Sequence, residues 1–297
     1  MSDSRIIVRV KGGLGNQLLC YAAARRLALV NDAELVIDDV TGFARDEQFR
    51  RQYALDRFHI KARKATPRER MEPLERYRRG LSKIIAKHQP FHRRRYVEQE
   101  GIDFDDRLLA FRVKESVYLD GLWQSEGYFK DVEKTIREDL RIIPPRDPVN
   151  HETAARIAAC NAVAVHVRWF ESPDKKNAKH NASVGYYYRA IAEIKCSVSK
   201  PHFFLFSDDP ASAESLLMLP GDRSTCVDHN HGDENAYADL WLMSQCKYFI
   251  IANSTFSWWG AWLSQHERKV VIAPGSVQSG ISSWGFKGLL PDDWIKM

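Results

Sequence analysis

The stretch NAVAVHVRWFES, residues 161–172, runs small apolar residues of the kind that fill a doubly buried strand straight into His166 and Arg168. A guanidinium at the end of such a strand requires an anion, because Arg is almost never fully buried without a partner. Two kinds of partner fit: a carboxylate of the protein, Asp208 or Glu171, or a phosphate of a ligand. Two further apolar runs end in the same way. HFFLF delivers Ser207, Asp208 and Asp209, and YFIIA delivers Asn253, Ser254, Thr255 and Phe256. The last run leads directly into a helix, so Asn253 or Ser254 can cap it while the N–H groups and dipole of its first turn attract negative charge. With the planar fork of Arg168 on the neighbouring strand, the expected chemistry is diphosphate binding.

The first half carries KGGLGNQ between a strand and a helix. Gly13 and Gly15 match the first two glycines of a dinucleotide fingerprint and Asp38 closes the next strand, but Leu18 stands where the third glycine belongs. An oxidoreductase built on this loop is therefore one alternative, and a non-catalytic binder of nucleotide sugars or anionic lipids is another. Asp103–Asp105, DFD, matches the DxD pattern of metal-dependent transferases, yet it lies away from the phosphate edge, where capping or surface charge accounts for it.

The elements that must position these residues alternate between strands and helices. RIIVRV and AELVIDD flank a helix from Gln17 to Leu29. SVYLDGLW then precedes a helical GYFKDVEKTIREDL. Beyond the Pro-rich RIIPPRDP the alternation continues through helices at 151–159, 184–195, 210–217, 235–246 and 256–264, with strands between them. This pattern predicts parallel sheets covered by helices, divided into domains 1–148 and 149–297. In such sheets ligands bind beyond the carboxyl ends of the strands, which is where the polar clusters fall.

The chain has 297 residues, 44% of them hydrophobic, enough for two cores. Its net charge of +5 hides an asymmetry: residues 61–95 hold thirteen Lys and Arg against three Glu, so that stretch is strongly basic and the remainder acidic. RERMEPLERYRRGLSKIIAKH within it reads as an amphipathic helical pair, either a solvated face or one that meets an anionic membrane. No zinc-finger, RRM or recognition-helix signature accompanies the charge, which argues against nucleic acid. Five scattered cysteines without CxxC, a charged N-terminus and no apolar run of membrane-spanning length lead us to expect a cytoplasmic location, with peripheral contact at the inner membrane face.

GGLGNQLLCYAAARRLA, LDGLWQSEGYF, HVR, FSDD, DLWLMSQCKYFIIANSTFSWWGAWL and a terminal LPDDWIKM together resemble the α-1,2-fucosyltransferase family of bacterial type, in that family's order and over nearly the whole chain. The resemblance implies a GT-B-like fold, with two Rossmann-like parallel-sheet domains facing a cleft. The first would be the acceptor-side domain carrying the basic helical insertion, and the second the donor domain. It also implies an inverting enzyme that moves L-fucose from GDP-fucose to the 2-hydroxyl of a galactoside in surface polysaccharide synthesis, with no metal and no further cofactor. Another GDP-sugar as donor is the variant of this reading. Carried over, Arg168 is expected to hold the β-phosphate of departing GDP and His166 to order it or bond the pyrophosphate. Ser254, Thr255 and Phe256 would wrap phosphate and ribose, beside Asn253, Ser207 and Asp208. Asp239 would recognise guanine, and Gly13, Gly15, Asn16 and Gln17 would approach the donor, with Asn16 near the sugar or the attacking hydroxyl. Glu171 is the nearest candidate base. Trp258, Trp259 and Trp262 carry the family pattern, but their helical spacing assigns them to the core. The chain departs from the family after HVR, where a second Arg, Gly and Asp usually stand and Trp169, Phe170 and Glu171 are found instead.

Overall fold

Strand–helix alternation produces two parallel-sheet α/β units, Met1–Arg141 and Ile142–Met297, in a computed structural model that describes residues 4–47, 49–170, 181–275 and 284–297. The division falls at the start of the Pro-rich segment, whose Pro148 is already the first residue of a helix.

In the first unit, strands β1 (Arg5–Arg9), β2 (Glu34–Asp38), β3 (Arg63–Lys64), β4 (Tyr96–Glu98) and β5 (Ser116–Asp120) form a parallel sheet in the order β3-β2-β1-β5-β4. Helix α1 (Leu14–Val30) is rich in Ala and Leu and buries most of its surface, including Leu18, Tyr21 and Ala24. Helix α2 (Glu75–Lys87) adds Ala86 to a cluster with Ile7, Val36, Tyr96 and Tyr118. Helix α3 (Glu133–Asp139) is tied to α1 through Asp139, which accepts from Tyr21 Oη at 2.8 Å and Arg25 Nε at 2.7 Å. The basic segment holds one α-helix rather than the expected pair. Residues ahead of Pro73 form turns, because the ring removes a backbone donor and disfavours a helical conformation at Glu72.

In the second unit, β6 (Asn161–Val167), β7 (Pro201–Ser207), β8 (Ser224–Val227), β9 (Tyr248–Ile250), β10 (Val270–Ala273) and β11 (Ile295–Lys296) run parallel in the order β11-β10-β9-β6-β7-β8. They alternate with α4 (Pro148–Ala158), α5 (Val184–Ser197), α6 (Pro210–Leu217), α7 (Ala236–Ser244) and α8 (Thr255–Leu263). Val163, Val165, Phe203 and Leu205 pack against Tyr186, Tyr187 and Ile194 of α5. Trp258, Trp259 and Trp262 are core residues, as their spacing indicates. Trp258 stacks on Trp262 at 11° between planes, and its indole N–H donates to the Leu289 carbonyl at 2.9 Å. Burying a large aromatic side chain contributes about 1.5–3 kcal/mol, so this cluster fixes α8, and with it the helix start that the site uses.

Candidate functional site

Four adjacent strands of the second sheet, β9, β6, β7 and β8, end on one edge. The register pairs Val167 of β6 with Ser207 of β7, which brings the residues that follow, Arg168 and Asp208, side by side. Arg168 Nη1 lies 2.8 Å from Asp208 Oδ2. Oδ1 of the same carboxylate accepts the Trp169 backbone N–H at 3.0 Å. Arg168 therefore has a protein partner, one of the two kinds its sequence position allows, and that contact engages a single nitrogen of the fork.

His166 is buried, its ring 5.6 Å from that of Phe256, and its Nδ1 meets no partner. Burial, and then the charge of Arg168, lower its pKa to about 3, so the side chain is a neutral imidazole. It can present an N–H or a lone pair to a ligand without the cost of burying a charge.

Ser254 is the residue that caps α8. Its backbone is extended and its Oγ accepts from the Phe256 N–H at 3.3 Å. Thr255 and Phe256 form the first turn, and Asn253 is buried behind them. Ser207 Oγ accepts from the Asp209 N–H, and Asp209 in turn caps α6.

Asp239 on α7 accepts from Asn230 Nδ2 at 2.8 Å. Asn230 and Asn150 exchange amide hydrogen bonds at 2.8 and 3.0 Å, and His229 Nε2 lies 3.1 Å from Asn150 Oδ1. Desolvation in this niche outweighs the Asn230 bond and pushes the Asp239 carboxyl up to about 7. A carboxyl poised near neutrality among amides can exchange donor and acceptor roles with a heterocyclic base. Asn150, His229 and Asn230 are not evident in the sequence; the only available signal is the polar run DHNH immediately after the short strand STCV.

In the first unit, Gly12 makes the turn of the glycine loop at φ +76, and a Cβ there would sit 3.0 Å from Asn16 Nδ2. Gly13 is the N-cap of α1, and Gly15 is buried within that helix. Gln17 is also buried. Its amide donates to the carbonyls of Gly12 and Gln52 at 2.9 and 2.8 Å, and its Oε1 accepts from the Ala54 N–H, so its polar atoms hold the loops in place. Asn16 Oδ1 accepts from Gln124 Nε2 at 2.8 Å. A carboxylate the sequence does not reveal, Asp120, is buried at the end of β5, 2.7 Å from Lys11 Nζ and 2.6 Å from Tyr96 Oη. Burial alone would raise its pKa, but Lys11, Tyr96 and Arg9 hold it well below the usual carboxylate range.

Asp105 of the DFD run accepts from the Arg107 N–H and pairs with its guanidinium at 2.6 Å, a cap and a surface ion pair. Among the described residues no group of three or more His, Cys, Asp or Glu could hold a metal ion. Glu171 lies outside the described residues. Of its neighbours, Trp169 packs against the core of the second unit, and Phe170 receives the Arg168 guanidinium at 5.4 Å from its ring centre.

The model of the family described as Glycosyl transferase family 11 matches residues 5–283. The chain is 28% identical to an alpha-1,2-colitosyltransferase of Escherichia coli over 91% of each chain. It is also 28% identical to the O-antigen biosynthesis glycosyltransferase WbnK of the same organism, over 97% of this chain and 99% of that one. In fold it is similar to the solved NodZ alpha-1,6-fucosyltransferase soaked with GDP-fucose. That match has a TM-score of 0.54 at 18% identity, covering 87% of this chain and 92% of that one, and the GT-B-like fold class agrees with it.

Proposed function

We propose a donor, an acceptor and a mechanism for this chain, which belongs to glycosyl transferase family 11 and is therefore a glycosyltransferase rather than an oxidoreductase or a non-catalytic binding protein. The proposed reaction moves L-fucose from GDP-fucose to the 2-hydroxyl of a galactoside in bacterial surface polysaccharide synthesis, with inversion at the anomeric carbon. The observation that carries the reading is the juxtaposition, on one edge of the second sheet, of Arg168, the capped start of α8 and the Asp239 niche. The first two suit a diphosphate and the third a purine base with N–H donors. An NAD-type ligand would require a different reading of the same edge.

As the acceptor oxygen attacks the anomeric carbon, the bond from that carbon to the β-phosphate oxygen breaks, and its electron pair stays on GDP. Positive charge builds on the sugar and negative charge on the phosphate. Arg168 and the first turn of α8 stabilise the leaving group as fixed donors that need no reorganisation. GDP departs without a proton, so a general acid is dispensable. The hydroxyl proton leaves to a base, a role for which Glu171 is our candidate. We place the acceptor on the first unit, with Asn16 near the attacking hydroxyl, and expect no metal requirement.

A second donor is favoured by one observation: the relative named for colitose transfer is as similar to this chain as the other curated relative. Colitose is the 3-deoxy analogue of fucose. Trp169 and Phe170 stand where the family usually has Arg and Gly, so the two donors are to be compared directly. Thermal shift with GDP, GDP-fucose, GDP-colitose, UDP and NAD tests the reading. A ligand at about 100 times its dissociation constant adds about 2.7 kcal/mol of stability. Stabilisation by the GDP compounds alone supports it, and a shift by NAD with none by GDP overturns it.

Residues 61–95 give the protein a means of meeting a membrane-borne acceptor. Tyr77, Leu81, Ile84 and Ile85 of α2 are 50–75% exposed at i, i+4, i+7 and i+8, an apolar stripe turned to solvent. Exposed Arg78 and Lys87 lie on the same helix, and exposed Arg93 follows it. An apolar stripe flanked by cations suits the interface of an anionic bilayer, where each Lys or Arg contributes about 1 kcal/mol. No helix among the described residues is long and apolar enough to cross a membrane. We therefore propose reversible, peripheral docking at the inner membrane face.

A further inference from the structure

We propose that the first unit carries an anion site of its own, a pocket that takes a phosphate or diphosphate group. A pocket of about 580 Å³ opens past the carboxyl ends of β1 and β2, between Arg9, the turn at Thr41–Asp46 and the inner side of α2, opposite its apolar stripe. In open parallel sheets this edge is where ligands bind.

Its cations outnumber its carboxylates. Arg9, Arg45, Arg76, Arg79 and Lys83 line it with Asp46 and Glu75. Two of the cations are accounted for by the protein. Arg9 donates to Thr41 Oγ1 at 3.2 Å, the Thr41 carbonyl at 2.8 Å and Asp120 at 3.4 Å, and Lys83 reaches Glu98 at 2.5 Å. Asp46 accepts the backbone N–H groups of Phe49 and Arg51, so it holds its own turn. Among the described residues Arg45 and Arg76 meet no acceptor, and Nη1 of Arg79 is closed off from solvent with no partner.

A guanidinium nitrogen shut away from both water and an acceptor costs free energy, and three like charges around one pocket repel. A bound anion offsets the repulsion and gives the Arg79 side chain a partner to turn toward. A carboxylate offers two oxygens and a single negative charge, too little for three guanidinium forks. Three forks call for the larger number of terminal oxygens on a phosphate or diphosphate, and the volume lies in the range of ligand pockets. Because the site lies in the unit that we propose holds the acceptor, the phosphate belongs with the acceptor on that reading. The site itself does not depend on it.

The test is a titration of the full chain with inorganic pyrophosphate under saturating GDP, so that the donor edge is filled, read as thermal shift. A saturable rise in Tm is expected. In Arg76→Gln/Arg79→Gln the pyrophosphate midpoint moves to about ten-fold higher concentration or more, the loss expected for a charge-assisted bond. Arg45→Gln, on the turn and outside α2, moves it in the same direction and guards against a helix that merely unfolds. Arg168→Ala keeps the response, which separates failure of this site from failure of the donor reading. No response in the wild type, or an unchanged midpoint in both the double variant and Arg45→Gln, overturns the proposal. Co-sedimentation with phosphatidylcholine vesicles containing phosphatidic acid assigns the source. Displacement by pyrophosphate identifies a lipid-borne phosphate, and a pyrophosphate response without displacement identifies a soluble one.

Discussion

Arg168 and Asp208 meet through one nitrogen and one oxygen, 2.8 Å apart, while the other oxygen of Asp208 holds the Trp169 backbone. The carboxylate thus aims the guanidinium and secures the chain that follows it. A phosphate arriving at this edge gains a fork whose direction is already set. Arg168→Lys keeps the charge and loses the fork, so it should lose most of the turnover. Arg168→Ala should lose more, about 10²–10³-fold in kcat, on the scale of removing one oxyanion donor. Single-turnover release of GDP measures this, and circular dichroism confirms that both variants fold. Wild-type turnover in Arg168→Ala would remove Arg168 from the phosphate.

Neutral His166 makes a prediction about stability. Its pKa is about 3 in the folded chain and near 6.5 when unfolded. Between those values the unfolded chain binds a proton that the folded chain does not, so stability falls as pH drops through that window, by up to about 1.4 kcal/mol per pH unit for one proton. Urea midpoints between pH 7 and 4 should fall, and His166→Asn should flatten the slope. A histidine ¹H–¹⁵N resonance from His166 that titrates near pH 6.5 would contradict the burial.

Asp239 has the opposite sign. With its folded pKa raised to about 7, the folded carboxyl holds a proton between pH 4 and 7 that the unfolded one has lost, and this contribution to stability is lost as pH rises through 7. If the carboxylate form accepts guanine N–H donors, calorimetric affinity for GDP should weaken below pH 7. Asp239→Asn should bind GDP more weakly and without that pH dependence. Equal affinity at pH 6 and 8 in the wild type would remove Asp239 from base recognition.

Membrane docking separates two contributions on α2. Leu81→Asp with Ile84→Asp should abolish sedimentation with anionic vesicles, because it destroys the exposed stripe. Arg78→Gln with Lys87→Gln should weaken it and reduce its salt sensitivity. Of the adjacent arginines, Arg94 is engaged with Glu100 and Arg95 with Glu115, both at 2.5 Å, so they are less available to lipid. Equal binding of wild type to neutral and anionic vesicles would remove the cations from docking, and binding to neither would leave the whole segment a solvated face.

How far the site was legible depended on how local its signals are. Arg168 and Ser254 stand out because buried apolar runs end at them abruptly, and the periodicity that sends Trp258, Trp259 and Trp262 inward also fixes where α8 begins. The Asp239 niche was partly hidden, since Asn150 and Asn230 are eighty positions apart and meet only because β8, a four-residue strand with two hydroxyl side chains, pairs with β7. Asp120 was hidden for the same reason: its partners come from elsewhere in the chain, Lys11 from the loop after β1 and Tyr96 from β4. The two-residue strands β3 and β11 carry too few side chains to show any period. In the basic segment, charge patterning pointed to a helical pair, but Pro73 limits it to one helix.

The most direct measurement of the central claim is the product itself. The full chain, treated with EDTA, is given GDP-fucose and a β-galactoside, GDP release is followed, and the linkage is read by NMR. Turnover without added metal is expected, with an α-linked fucose on the galactose 2-hydroxyl and the anomeric configuration inverted from the donor's. No transfer from GDP-fucose, a fucose on another hydroxyl, or activity restored only by Mg²⁺ or Mn²⁺ would contradict it.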